Sequence, residues 1–121
     1  MPFSILIIDD HETVANAFAK LLDSLGHKTS IACSGREALK TLSTNKPEII
    51  LLDIGMPTMD GYEVAKKIRS KKKFSETILV ALTGHGRKED KLKAREAGFD
   101  HHIEKPATLV DIERILNIYD Y

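Results

Sequence analysis

The sequence has no tryptophan, one cysteine and four prolines in 121 residues. No apolar run approaches the ~20 residues that a helix needs to cross a bilayer. The lone Cys33 excludes an internal disulfide and fits a reducing compartment. Met1-Pro2-Phe3-Ser4 carries neither the basic segment nor the cleavage site of a secretion signal. A cytoplasmic location without membrane insertion is therefore expected. Excess charge of one sign is missing too: 18 Lys and Arg stand against 18 Asp and Glu, which gives no electrostatic footprint for nucleic acid. Repeats, low-complexity tracts and tails are also absent. Apolar residues make up 42% and charged residues 30%, an ordinary balance for a soluble globular protein. A single domain over residues 1–121 is expected, with any output left to a partner.

What the chain does have is strand–helix alternation, repeated five times. Strands are expected at Ser4–Ile8, Lys28–Ala32, Glu48–Leu52, Thr77–Leu82 and about His101–Glu104. Ile5-Leu6-Ile7-Ile8 and Ile49-Ile50-Leu51-Leu52 read as strands covered on both faces. The first helix carries Val14, Phe18, Leu21, Leu22 and Leu25 as its apolar stripe and stops at Gly26. The second opens on a capping box, Ser34-Gly35-Arg36-Glu37, and buries Ala38, Leu39 and Leu42. The third begins at Asp60, with Glu63 three residues on, and buries Val64, Ala65 and Ile68; Lys71-Lys72-Lys73 reads as its solvated end. The fourth, Arg87–Ala97, has little apolar surface beyond Leu92, Ala94 and Ala97, and such a helix is weakly anchored. The fifth begins at Thr108 with Asp111 at its third position, and carries Leu109, Ile112, Ile115, Leu116 and Tyr119. Alternation with short loops gives an α/β fold with a five-stranded parallel, doubly wound sheet and right-handed crossovers.

Four groups of polar residues follow the strands. Asp9-Asp10 comes after the first, Asp53 after the third, Thr83 after the fourth, and Lys105-Pro106 after the fifth. In a doubly wound sheet the carboxyl ends of the strands converge on one crevice, the usual functional rim. Three carboxylates there repel one another unless a cation neutralises them. Hard oxygen donors suit Mg²⁺, and a lysine nearby suits a phosphate. The residues alone therefore read as a magnesium-dependent phosphoryl-acceptor site. A helix N-cap is the alternative role for Asp9 or Asp10, and strand propensity the alternative for Thr83.

These motifs, with Asp53-Ile54-Gly55-Met56-Pro57, Met59-Asp60-Gly61 and Ala81-Leu82-Thr83-Gly84, occur in the order of a known family. The chain closely resembles the receiver domain of two-component response regulators over nearly its whole length. Ala94–His102 looks like receivers of hybrid sensor kinases or their stand-alone relatives. The resemblance implies a flavodoxin-like (βα)5 three-layer sandwich and a phosphorelay role. Asp53 is then the phosphoacceptor, taking a phosphoryl group from a phosphohistidine on a histidine kinase or histidine phosphotransfer protein. Asp10, Asp53 and the Gly55 backbone carbonyl bind Mg²⁺ (or Mn²⁺ as substitute), with Asp9 acting through water. Lys105 pairs with Asp53 and then with a phosphoryl oxygen, Thr83 donates its hydroxyl, and Lys105–Pro106 is a cis-peptide candidate. The face made by the fourth helix, fifth strand and fifth helix signals to a downstream target that the sequence does not identify. No turnover of a separate substrate is expected.

Several positions depart from the pattern. Three before Lys105 the family usually has tyrosine or phenylalanine as a switch residue, and here stands His102, polar and titrating near neutrality. His101 and His102, adjacent on a strand, point to opposite faces and cannot easily share a metal. Gly55 puts no side chain over the phosphoryl group, while His85, two after Thr83, is placed to cover its other side; both bear on the lifetime of the phosphorylated state. Flavin-binding loops are absent. A haloacid-dehalogenase-type phosphatase would need an Asp two residues after the nucleophile, where this chain has Gly55 after Asp53 and His11 after Asp9. The remaining alternative is a receiver-like docking module that works without phosphate.

Overall fold

The structure, a computed structural model, describes residues 2–84 and 88–120, with backbone only for 88–90. Five strands, β1 (Ser4–Ile8), β2 (Lys28–Ala32), β3 (Ile49–Asp53), β4 (Ile78–Thr83) and β5 (His101–Glu104), form one parallel sheet in the order β2-β1-β3-β4-β5. Five helices alternate with them: α1 (Glu12–Ser24), α2 (Gly35–Leu42), α3 (Gly61–Arg69), α4 (Lys88–Ala97) and α5 (Leu109–Tyr119). The expected α/β sandwich is the fold observed. β3 and β4 lie one residue later than expected, so Asp53 and Thr83 are the last residues of their strands rather than the first beyond them.

Alternation along the strands sorts the core into two layers. Leu6, Ile8, Ile50, Leu52, Leu79 and Ala81 face α2, α3 and α4. Ile5, Ile7, Ile49, Leu51, Val80 and Leu82 face α1 and α5. Because β2 lies on one side of β1 and β3 on the other, the strand order reverses between β1 and β3. That is where a doubly wound sheet opens its crevice.

The helices match their signals unevenly. Thr108 and Asp111 form a complete capping box on α5, and Asp60 accepts from the Glu63 amide at the start of α3. The box on α2 is one-sided: Ser34 Oγ accepts from Glu37 N, but the Glu37 carboxylate accepts from Cys33 N at 3.2 Å. Ser34 is extended there (φ −157°, ψ 164°), and the return bond reaches one residue further back.

The apolar stripe expected on α1 needs correction. The helix meets the sheet through buried Ala15, Ala19 and Leu22, with Phe18 beside them, while Val14, Leu21 and Leu25 are exposed. The two stripes differ by about 100° of rotation, and the alanines let the helix approach the sheet closely. On α4, Leu92 is likewise exposed, and Ala94 and Ala97 make the buried contact. Lys71–Lys73 is not a helix end, since α3 stops at Arg69 and Lys72–Phe74 forms a 3-10 turn. Lys73 Nζ caps the Leu42 carbonyl at 3.2 Å.

Candidate functional site

Strand register brings the polar residues together. Ile8 pairs with Leu52, so Asp9 and Asp53 come next on adjacent strands. Asp53 pairs with Leu82 of β4, Thr83 pairs with Glu104 of β5, and Lys105 follows. The rim therefore carries Asp9-Asp10, Asp53, Thr83 and Lys105 side by side.

Asp53 is 2% exposed, and a carboxylate so buried needs partners. Its Oδ2 lies 2.7 Å from Lys105 Nζ, and its Oδ1 accepts from the Gly55 backbone N–H at 2.9 Å. Lys105 is held from behind, its own N–H donating to the Thr83 carbonyl at 2.7 Å, and its bond to Pro106 is cis. The loop that brings Gly55 over Asp53 depends on Gly61. A Cβ there would fall 2.6 Å from Ile54 Cα and 2.7 Å from the Asp53 carbonyl oxygen, so only glycine lets α3 begin against the end of β3.

Asp9, also buried, accepts from His11 N at 2.9 Å and faces His11 Nδ1 at 3.2 Å. Asp10 Oδ1 lies 3.3 Å from the same nitrogen. Neither carboxylate caps α1, whose N-cap is His11 without a side-chain hydrogen bond. The N-cap alternative is thereby displaced. One donor atom each from Asp9, Asp10, His11 and Asp53 gather within 4.8 Å of one another. The negative field extends to the end of β2, where burial first, then Glu12, Glu37, Asp9 and Asp10, push the Cys33 thiol above its ordinary range. Cys33 is thus a poor nucleophile.

Among the described residues, two buried side-chain oxygens have no hydrogen-bond partner, Asp10 Oδ1 and Thr83 Oγ1. Both belong to this rim. Orphaned buried acceptors and hydroxyls mark a place that a ligand, an ion or a water completes. Three clustered carboxylates suit a hard dication that keeps some of its water.

A family model described as the response regulator receiver domain matches residues 5–117. The chain belongs to that family. It is 36% identical over 116 residues to the sensor histidine kinase RcsC of Escherichia coli (strain K12), covering 95% of this chain and 12% of the kinase. It is 30% identical to an uncharacterized 14.6 kDa protein of Leptolyngbya boryana, covering 95% of this chain and 88% of that protein. Among solved structures, a putative response regulator from Chloroflexus aurantiacus J-10-fl matches with a TM-score of 0.88 and 31% identity over 98% of both chains. The chain thus spans about an eighth of the kinase it matches, and such receivers are signalling modules of two-component systems rather than substrate-turnover enzymes.

Within this receiver, His102 is exposed on β5. Partial burial first, then the Lys91 charge, hold its imidazole below the ordinary value. His85 lies outside the described residues, as does Arg87, where the fourth helix was expected to begin; the described part of α4 starts at Lys88. The residue that sequence reasoning overlooked is His11. Its signal was position alone, an imidazole directly following two carboxylates at a strand end.

Proposed function

We propose that this receiver is a phosphorylation-controlled switch, in which Asp53 takes a phosphoryl group from a phosphohistidine on a histidine kinase or histidine phosphotransfer protein in the cytoplasm. The observation that carries the reading is Asp53 itself, a buried carboxylate held between Lys105 Nζ at 2.7 Å and the Gly55 amide at 2.9 Å, beside two further carboxylates. Nothing structural requires so costly a group there.

A carboxylate oxygen of Asp53 attacks the phosphorus; the P–O bond forms as the P–N bond breaks, and its electron pair returns to the imidazole. Most of the acceleration comes from positioning and charge. Lys105, paired with Asp53 at rest, moves with the charge to a phosphoryl oxygen. Thr83 Oγ1, buried and unpartnered, donates to another. Asp10, Asp53 and the Gly55 carbonyl would hold Mg²⁺, or Mn²⁺ in its place, with Asp9 one water removed. When bound, Mg²⁺ would supply neutralisation of the phosphoryl oxygens.

An apolar groove of about 440 Å³ adjoins the crevice, lined by Val14, Phe18, Pro106 and Ala107 among others. It gives a donor protein a surface to rest on while its imidazole enters. The signal leaves through α4, β5 and α5 toward a target not yet identified, or the phosphoryl group is relayed onward.

Intact mass after incubation with acetyl phosphate tests the reading. A single phosphoryl adduct is expected, dependent on Mg²⁺ and absent from Asp53→Asn. An adduct that persists in Asp53→Asn would unseat Asp53. Failure of the wild type to accept phosphate from fresh donor, with metal bound, would favour the phosphate-independent docking module.

A further inference from the structure

The metal set proposed above is all oxygen, yet the cluster in the crevice includes a nitrogen. His11 Nδ1 lies 3.2 Å from Asp9 Oδ1 and 3.3 Å from Asp10 Oδ1. With metal–donor bonds of about 2.0–2.1 Å, neighbouring donors around one ion stand roughly 2.8–3.0 Å apart in octahedral sites and roughly 3.3–3.4 Å apart in tetrahedral ones. The separation of Asp10 Oδ1 from His11 Nδ1 matches the tetrahedral value. Only the contact with Asp9 has hydrogen-bond geometry, and Asp10 Oδ1, shielded from solvent, accepts from no donor among the described residues. An oxygen left orphaned at ligand distance from an imidazole is explained by an ion between them better than by a helix cap, since His11 makes no side-chain cap bond to α1.

We propose that His11 is a further ligand of this crevice and tunes it toward borderline transition-metal dications, Co²⁺ or Zn²⁺, which compete there with Mg²⁺. The inference rests on the reading that the crevice holds a dication. Its chemistry follows from donor type: carboxylate and carbonyl oxygens serve Mg²⁺, whereas imidazole favours Zn²⁺, Co²⁺ and Ni²⁺, and these later metals bind a given mixed set more tightly. His11 is accessible enough to serve, its side chain being 66% exposed and its backbone fixed by the hydrogen bond to Asp9. The receiver's readiness for phosphate would then depend on which ion it meets, because a set containing His11 gives up water that the oxygen set keeps.

The test titrates Mg²⁺, Co²⁺ and Zn²⁺ into the full chain by calorimetry, with the visible spectrum of bound Co²⁺ as a second readout. Wild type and His11→Asn are compared; asparagine is an accepted N-cap, so α1 keeps its start. Asp10→Ala serves as the control for the crevice. Loss of one nitrogen donor is expected to lower the ratio of Co²⁺ to Mg²⁺ affinity about tenfold or more. The Co²⁺ spectrum should change with it, and Co²⁺ should displace Mg²⁺ from the wild type. An unchanged ratio and spectrum in His11→Asn would overturn the inference while leaving Mg²⁺ binding intact. Co²⁺ that binds without displacing Mg²⁺, or that Asp10→Ala still binds fully, would place the nitrogen site elsewhere and overturn it too. If no dication bound the wild type at all, both this inference and the metal set beneath it would fall.

Discussion

The two helical layers cover the sheet unequally. On one face α2, α3 and α4 enclose their core, and the exposed large apolar residue described there is Leu92 of α4. On the other face α1 and α5 leave Val14, Leu21, Leu25, Val110 and Ile118 in solvent. Two helices cannot wall in a five-stranded sheet as three can, but that does not explain why the uncovered positions stayed apolar. Scattered apolar residues on a surface need no explanation; a run along one helix next to a charged crevice does. Val14 and Phe18 line the groove that adjoins Asp9 and Lys105. The three-helix layer encloses its core more completely, and on the proposed function the two-helix layer gives up some of its cover to meet a donor protein.

The sharpest way to test that contrast is to remove comparable apolar groups from each layer. Phe74 lies 1% exposed in the three-helix core, and Phe74→Ala should cost about 3–5 kcal/mol in chemical denaturation. Leu21→Ala on the exposed α1 stripe should stay within about 0.5 kcal/mol of wild type. A large loss from Leu21→Ala would erase the distinction between the layers. The next effect is kinetic. Val14→Ser should slow phosphoryl transfer from a protein donor about tenfold, near 1.4 kcal/mol of lost docking. Its rate with acetyl phosphate, which needs no docking surface, should match wild type. Equal slowing with both donors would assign Val14 to the crevice itself and not to the groove.

The same contrast marks how far the sequence could be read. The apolar runs of β1 and β3 and the charges at their ends specified sheet, layers and rim, because a strand covered on both faces leaves its periodicity in the chain. The α1 stripe was misjudged for a physical reason. Val14, Leu21 and Leu25 follow helical spacing as well as Ala15, Ala19 and Leu22 do, and periodicity cannot say which of two adjacent stripes meets the sheet. Close approach chose the alanines. Asp53, Asp9 and Lys105 were legible since strand register fixes where they end. His11 was not, because its place in the cluster depends on a side-chain rotation that residue order does not encode. The Glu37 bond to Cys33 N escaped for the same reason: a capping-box pattern identifies the partners but not the backbone angle at Ser34.

The smallest effect concerns His102, where the family switch position and the surface meet. Partial burial and then Lys91, with a lesser contribution from His101, hold its imidazole below the ordinary value, while Glu104 pulls the other way. As pH falls through the ordinary value of about 6.5, the unfolded chain takes up the proton before the folded one does. The folded state therefore loses stability on the acid side, and what His102 contributes is complete only above that value. His102→Gln should flatten the slope of unfolding free energy between about pH 7 and pH 5, the interval in which an imidazole of this kind titrates. Added salt should flatten the wild-type slope in part, since it screens Lys91 but leaves burial unchanged. If the slope in His102→Gln equalled that of wild type, the acid sensitivity would belong to other groups. Should the slope instead vanish on adding salt alone, the Lys91 charge would outweigh burial as the source of the depressed imidazole.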